Sequence, residues 1–126
     1  MQQKPKEVLC RTCYRRLLED RKLDGLVTCP PQTSANSFHV YNQFTIRSCH
    51  RDELKEFLSQ VGVPSEIYYS LCLHLQPAFS HLGHSAGDFP VAESASKQVL
   101  SLPVFPELTD GQQDVVVKAI INSGDL

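Results

Sequence analysis

The chain has 126 residues, 41% of them hydrophobic and 21% charged, with a formal net charge of −2. Those values describe one ordinary globular domain able to build a core, and they exclude a disordered or fibrous chain. The slightly acidic balance offers no cationic field for nucleic acid, and no apolar run approaches the ~18 residues of a membrane span.

The opening MQQKPKEVLC lacks the apolar stretch of a secretory signal. Cys10, Cys13, Cys29, Cys49 and Cys72 are an odd set without the spacing of a disulfide framework, so reduced thiols and a cytoplasmic location are expected. Residues 7–23 predict an amphipathic helix. Leu9, Cys13 and Leu17 repeat every fourth residue, Cys10, Tyr14 and Leu18 widen that stripe, and most of the charge lies opposite. Gly25 ends it, and CPPQTSANS (29–37) reads as a loop.

HVYNQFTIR (39–47) alternates as a strand does. Val40, Asn42, Phe44 and Ile46 face one way, while His39, Tyr41, Gln43, Thr45 and Arg47 make a polar-aromatic face. A helix over 51–61 follows, with Asp52 and Glu53 in its first turn and Leu54, Phe57, Leu58 and Val61 as its apolar stripe. Gly62 and Pro64 stop it. A second strand over 64–70 then runs into YYSLCLHLQPAFSHLG (68–83). That stretch is apolar enough for a core, yet it carries Tyr68, Tyr69, His74, Gln76 and His81.

Residues 90–100 predict a third helix with Val91, Ala92, Ala95 and Val99 inward, and a short strand is expected over 102–105 between prolines. The last helix, 110–122, has Thr109 as its cap and Gln112 three positions on, the pattern of a capping box. Val115, Val116, Ala119 and Ile120 are expected to be its buried face. The fold class is therefore α+β: a small, mostly antiparallel three-stranded sheet with about four helices over one face.

Local chemistry is sparse. Cys10-x-x-Cys13 and His81-x-x-His84 have zinc-ligand types, but the thiols fall inside a leucine-bearing helix, where they act as small hydrophobes, and no metal site is expected. HSAGD (84–88) contains triad residue types, but contiguous neighbours cannot face one another as a triad must, and a turn is expected there. Cys72 and His74 would share one face of a strand, without an orienting carboxylate or an oxyanion hole. There is no G-x-S-x-G elbow and no phosphate-binding glycine loop. A module that binds a ligand or partner through the polar face of 39–47 and the Tyr68–Tyr69 pair stays open.

Three stretches together resemble one family. HVYNQFTIR is similar to its HVYHQYTIR-type strand. RDELKEFLSQVGVPSEIYYSLCLHLQPAFSHLG is similar to its RDEL…YYPxPLHLQPAFxxLG segment. DFPVAESASKQVLSLPVFPELTDGQQDVVVKAI is similar to its FPVAE…LSLPxxPELTxxQ ending. The family is the DegT/DnrJ/StrS group of pyridoxal-phosphate-dependent sugar aminotransferases, which make amino sugars on nucleotide-linked sugars. The resemblance covers about Glu7 to Ile121 and implies the C-terminal small domain of a fold-type I aminotransferase over 24–126, with 1–23 as the helix leading into it.

In that family the lysine that anchors the cofactor belongs to a large domain. Lys4, Lys6, Lys22, Lys55, Lys97 and Lys118 all stand in polar surroundings here, and none lies in a segment like the family's lysine motif. The resemblance thus implies a truncated or split aminotransferase, inactive alone, with Met1 falling near the helix that joins the two domains. No catalytic or cofactor-binding residue is expected in this chain. Pyridoxal phosphate is the cofactor of the full-length family, and a nucleotide-linked sugar its substrate.

By the same resemblance, Tyr68, Tyr69, His74 and Gln76 face the substrate, with Tyr41 and Gln43 as weaker candidates. Ser70 and Cys72 stand where the family has prolines, which loosens that loop. A former domain interface should leave apolar surface exposed, for a large-domain chain or for self-association. The alternative is a stand-alone ligand-binding or interaction module on the same scaffold.

Overall fold

The computed structural model describes residues 14–19, 23, 25–31 and 41–124. In chain order it shows a helix at 14–19 (α1), strand β1 (Phe44–Arg47) and helix α2 (Arg51–Gln60). Two 3₁₀ segments (Leu73–Leu75 and Pro77–Leu82), helix α3 (Pro90–Gln98), strand β2 (Val99–Leu102) and helix α4 (Asp110–Ser123) complete it. The remainder of the helix expected over 7–23, the Cys10–Cys13 pair and the first residues of the strand expected from 39 lie outside the described residues. The α+β class holds. No helix among the described residues is long and apolar enough to cross a membrane.

The sheet has two strands among the described residues, not three. β1 and β2 are antiparallel, with Phe44 opposite Leu102 and Ile46 opposite Leu100. Period-two alternation puts these four side chains on one face, and all are buried. Leu54 and Leu58 of α2, Val116, Val117, Ala119 and Ile120 of α4, Tyr14 and Leu18 of α1, and Val63 and Leu108 from the connections complete the core. The rings of Tyr14 and Phe44 lie 5.3 Å apart, within the range of favourable aromatic pairs. On the opposite face the Thr45 and Ser101 hydroxyls meet at 2.9 Å.

The strand expected over 64–70 is reduced to one bridge, in which Glu66 exchanges both backbone hydrogen bonds with Ser101 (3.0 and 2.9 Å). An antiparallel ladder continuing from that pair would next place residue 68 opposite residue 99. The Val99 carbonyl is already taken, because Arg51 Nη1 donates to it at 3.1 Å and to the Ser96 carbonyl at 3.2 Å. A buried guanidinium thus occupies the acceptor a third strand needs. On the other edge a second bridge joins Thr28 to Arg47.

β2 also begins earlier than expected, at Val99 rather than 102, and α3 is correspondingly shorter. The capping box of α4 is formed: Gln112 N–H donates to Thr109 Oγ1 at 3.3 Å, and Thr109 N–H donates to Gln112 Oε1 at 2.9 Å.

Two helix faces differ from expectation. In α4 Val117 is buried and Val115 is 58% exposed, because three consecutive valines allow either phase and the buried Gln113 belongs to the Val117 side. In α3 Val91 is 80% exposed and no residue of that helix is buried. In α2 Leu54 and Leu58 are buried as expected, whereas Val61, just past its end, is exposed. Residues 68–83, into which the strand expected over 64–70 was to run, are surface and contain two 3₁₀ segments without a buried residue.

Candidate functional site

The described surface carries an apolar groove of about 610 Å³ between the stretch from Tyr69 to His74 and α3. Tyr69, Leu71, Leu73, His74, Phe89 and Ala92 are among the side chains that line it. Its one edge that can carry charge is organised by Glu93. The Glu93 carboxylate accepts from Gly87 N–H at 2.9 Å and from Phe89 N–H at 3.4 Å, and it lies 3.0 Å from His74 Nε2. Only 8% of the His74 side chain and 18% of the Glu93 side chain are exposed, so this pair is shielded from water. Phe89 lies between two imidazoles, with ring centroids 4.8 Å from His74 and 5.0 Å from His84.

The local sequence explains this knot. Phe89 heads α3 without a side-chain cap, and Pro90 follows as its first helical residue. Glu93, one turn on, reaches back to the free amides at the helix start. Gly87, at φ 97, adopts the left-handed turn that aims its amide at that carboxylate. HSAGD is a turn, as expected: Asp88 accepts from Ser85 N–H at 2.9 Å and lies 3.4 Å from His84 Nδ1.

The Gly87 amide holds the Glu93 carboxyl below the usual carboxylate range; burial opposes this, and His74 and the Phe89 amide add to it. The Ser85 amide, with smaller help from His84, does the same for Asp88. A depressed folded-state pKa contributes stability above the ordinary value of about 4.3 for Glu, and that stability is lost as pH falls through the folded value. Acidification from pH 6 to below 4 is expected to open residues 84–93 before the core melts. Hydrogen exchange of the Gly87 and Phe89 amides reports this, and Glu93→Gln should reduce the pH dependence to the part that Asp88 carries.

The six residues expected to face a substrate are not gathered in one place. Tyr69 and His74 line the groove. Tyr68 and Gln43 line a separate, more polar cleft of about 330 Å³, shared with Asn42, Ser65 and Glu66. Gln76 lines neither, its amide donating to the Leu71 carbonyl at 3.3 Å. Tyr41 stacks on Phe44 at 6.0 Å and receives a hydrogen bond from Arg15 at 3.4 Å, held at φ 46, where non-glycine residues are uncommon. The sequence reading missed Glu93 and Arg51. An acidic residue four positions after an uncapped phenylalanine is the signal for Glu93, whereas nothing in RDEL distinguishes a buried arginine from a solvated one.

No lysine lines the groove. Among the described lysines, Lys55 donates to the Ser65 carbonyl at 2.8 Å, Lys118 pairs with Asp114 at 2.6 Å, and Lys97 is exposed. Among the described residues no three His, Cys, Asp or Glu side chains gather as metal ligands.

Comparison with known proteins places this geometry in context. The family model described as the DegT/DnrJ/EryC1/StrS aminotransferase family matches residues 2–121. A Geobacillus stearothermophilus protein named pleiotropic regulatory protein is 49% identical over 107 residues, which are 85% of this chain and 28% of that protein. An Acidithiobacillus ferrooxidans protein, UDP-N-acetyl-3-dehydro-α-D-glucosamine 3-aminotransferase, is 42% identical over 90 residues, 71% of this chain and 24% of its own. The crystal structure of Streptomyces venezuelae DesV in complex with a ketimine intermediate superposes with a TM-score of 0.81 at 30% identity. That match covers 95% of this chain and 32% of DesV. The chain thus spans about a quarter to a third of the length of these relatives.

Proposed function

Because the chain belongs to the DegT/DnrJ/EryC1/StrS aminotransferase family, whose enzymes use pyridoxal phosphate, we propose that it supplies the C-terminal small domain of a nucleotide-sugar aminotransferase and does not transfer amino groups alone. The observation that carries this reading is the family match over residues 2–121 in a chain that spans about a quarter to a third of its relatives' length. Transamination needs an amine of lowered pKa in a dry, enclosed site. Lys55, Lys97 and Lys118 instead hydrogen-bond to backbone, pair with a carboxylate or stand in solvent. The described residues do not fit the covalently held cofactor, and no step of its chemistry is assigned to them.

Their role in this reading is to shape one wall. The Tyr68–Gln43 cleft, with Asn42 and Glu66 beside it, has hydroxyl, amide and carboxylate groups converging within a small volume, which suits sugar hydroxyls. Tyr69 and His74 contribute from the groove side, with His74 oriented by Glu93. Gln76 and Tyr41 serve by holding the loop and β1 in place.

A chimera tests the assignment: the A. ferrooxidans aminotransferase with its matched segment replaced by the corresponding residues of this chain. It is expected to retain bound pyridoxal phosphate and to aminate UDP-N-acetyl-3-dehydro-α-D-glucosamine. A chimera that folds and binds cofactor yet cannot aminate any nucleotide-linked keto sugar would count against the reading. The second reading is a stand-alone binding module, with which the regulatory name of the Geobacillus relative agrees; tight binding of a nucleotide-sugar by the isolated chain without cofactor would favour it.

A further inference from the structure

We propose that the cleft beside Glu66 takes a sugar with a free amino group, and that Glu66 selects the ammonium over a keto, hydroxyl or acetamido group at the same carbon. The inference rests on the functional reading above, which puts a sugar in this cleft, and adds which kind of sugar the cleft favours.

The backbone places Glu66. It pairs with Ser101 in an antiparallel bridge, and directly opposed residues share one face of a sheet. Ser101 meets Thr45 on the face away from the core, so Glu66 belongs to that polar face. Ser101 is only 6% exposed and lines the cleft, which gives the site a buried hydroxyl. Tyr68 and Phe105, both exposed, add aromatic rings to the wall, and Asn42 and Gln43 add amides.

The chemistry of that wall selects its ligand. Glu66 carries the one full charge on it, and neither lysine nor arginine lines it. A phosphate group finds no cation inside the cleft, so it has to lie outside. An ammonium finds a carboxylate and two aromatic faces, each of which attracts a cation. The amides and hydroxyls remain for the hydroxyls of the sugar ring.

The carboxylate is held for this task. Its Oε1 accepts from Ile67 N–H at 2.9 Å and stands 3.8 Å from Lys55 Nζ. That lysine lines a neighbouring cavity and donates to the Ser65 carbonyl at 2.8 Å. Oε2 is engaged in neither contact and is the atom assigned to the ligand. Of the keto and amino sugars that a sugar aminotransferase interconverts, only the amino form carries the matching charge. The cleft therefore favours the product side.

Nuclear magnetic resonance titration of the whole chain with D-glucosamine, N-acetyl-D-glucosamine and D-glucose tests this at about pH 6.5, where an amine of this kind is protonated. Glucosamine is expected to shift the Glu66, Ile67 and Ser101 amides. It should bind about two- to fivefold more tightly than the other two sugars, the range of a solvent-exposed ion pair. Glu66→Gln should abolish the preference. The Glu66 side chain is 60% exposed, so that variant should fold and melt as the parent does. Lys55→Met removes a competing cation and should widen the preference, whereas Glu53→Gln, an exposed carboxylate on α2, is the control and should leave it intact.

Equal affinity for the three sugars, no shift at those amides, or a preference that survives Glu66→Gln overturns the proposal. Amination by the chimera is a separate readout. An inactive chimera beside a chain that selects the amine would sink the functional reading and leave this cleft standing. An active chimera beside a chain indifferent to the amine would sink this proposal alone.

Discussion

Phe44→Ala is expected to destabilise the protein by about 3–5 kcal/mol, a large part of the ~5–15 kcal/mol that holds a domain of this size. Phe44 is fully buried at the start of β1 and packs against both Tyr14 and Tyr41. Truncation removes the transfer free energy of the ring and leaves a cavity between the sheet and α1 that neighbouring side chains fill only in part. Thr45→Ala, one residue on and on the other face, loses one hydroxyl pair and should cost no more than about 1 kcal/mol. Chemical denaturation of the two variants should show the strong alternation that a one-sided sheet requires. Equal costs would mean that β1 is not packed as described.

The second large effect is expected at Arg51. Only 7% of it is exposed, and its guanidinium donates to the Ser96 and Val99 carbonyls and to Asp52 Oδ1 at 2.7 Å. Arg51→Met keeps much of the apolar stem but leaves two part-buried carbonyls without this donor. Hydrogen bonds from a charged donor are worth more than neutral ones, and the cost should be about 2–4 kcal/mol. Arg51→Lys should recover only part of this, because the single nitrogen Nη1 that meets both carbonyls sits at the end of a longer side chain, and lysine also loses the Nε–H that donates to Asp52. The same variant frees the Val99 carbonyl. Hydrogen exchange should then show loosening at the α3–β2 junction before any change in α4.

Arg51 also explains why the sheet departs from the sequence reading. The β-like composition of 64–70 is genuine, and Glu66 does pair with Ser101, but strand propensity cannot reveal that the next acceptor is occupied by a side chain from α2. Where pattern and local chemistry agree, the elements are as expected. α2 runs from Arg51 to Gln60, Thr109 and Gln112 form their capping box, and Phe44 and Ile46 are both buried. Where an apolar pattern has two solutions the phase was lost, as at Val115–Val117.

Val91 departs from expectation because apolar periodicity marks a face without showing whether the fold covers it. The candidate site suffered the same limit. Resemblance brought Tyr68, Tyr69, His74 and Gln76 forward as one group, while the fold distributes them between a groove, a cleft and an internal hydrogen bond. Glu93, which organises the groove edge, belongs to a stretch that reads as an ordinary helix exterior.

Among the described residues no lysine stands where it could hold an aldehyde cofactor. The most direct measurement is the visible spectrum and cofactor content of the purified 126-residue chain after incubation with pyridoxal phosphate and gel filtration. The expected result is a colourless protein that keeps no stoichiometric cofactor. One equivalent retained, and lost on replacing a single lysine, would contradict it.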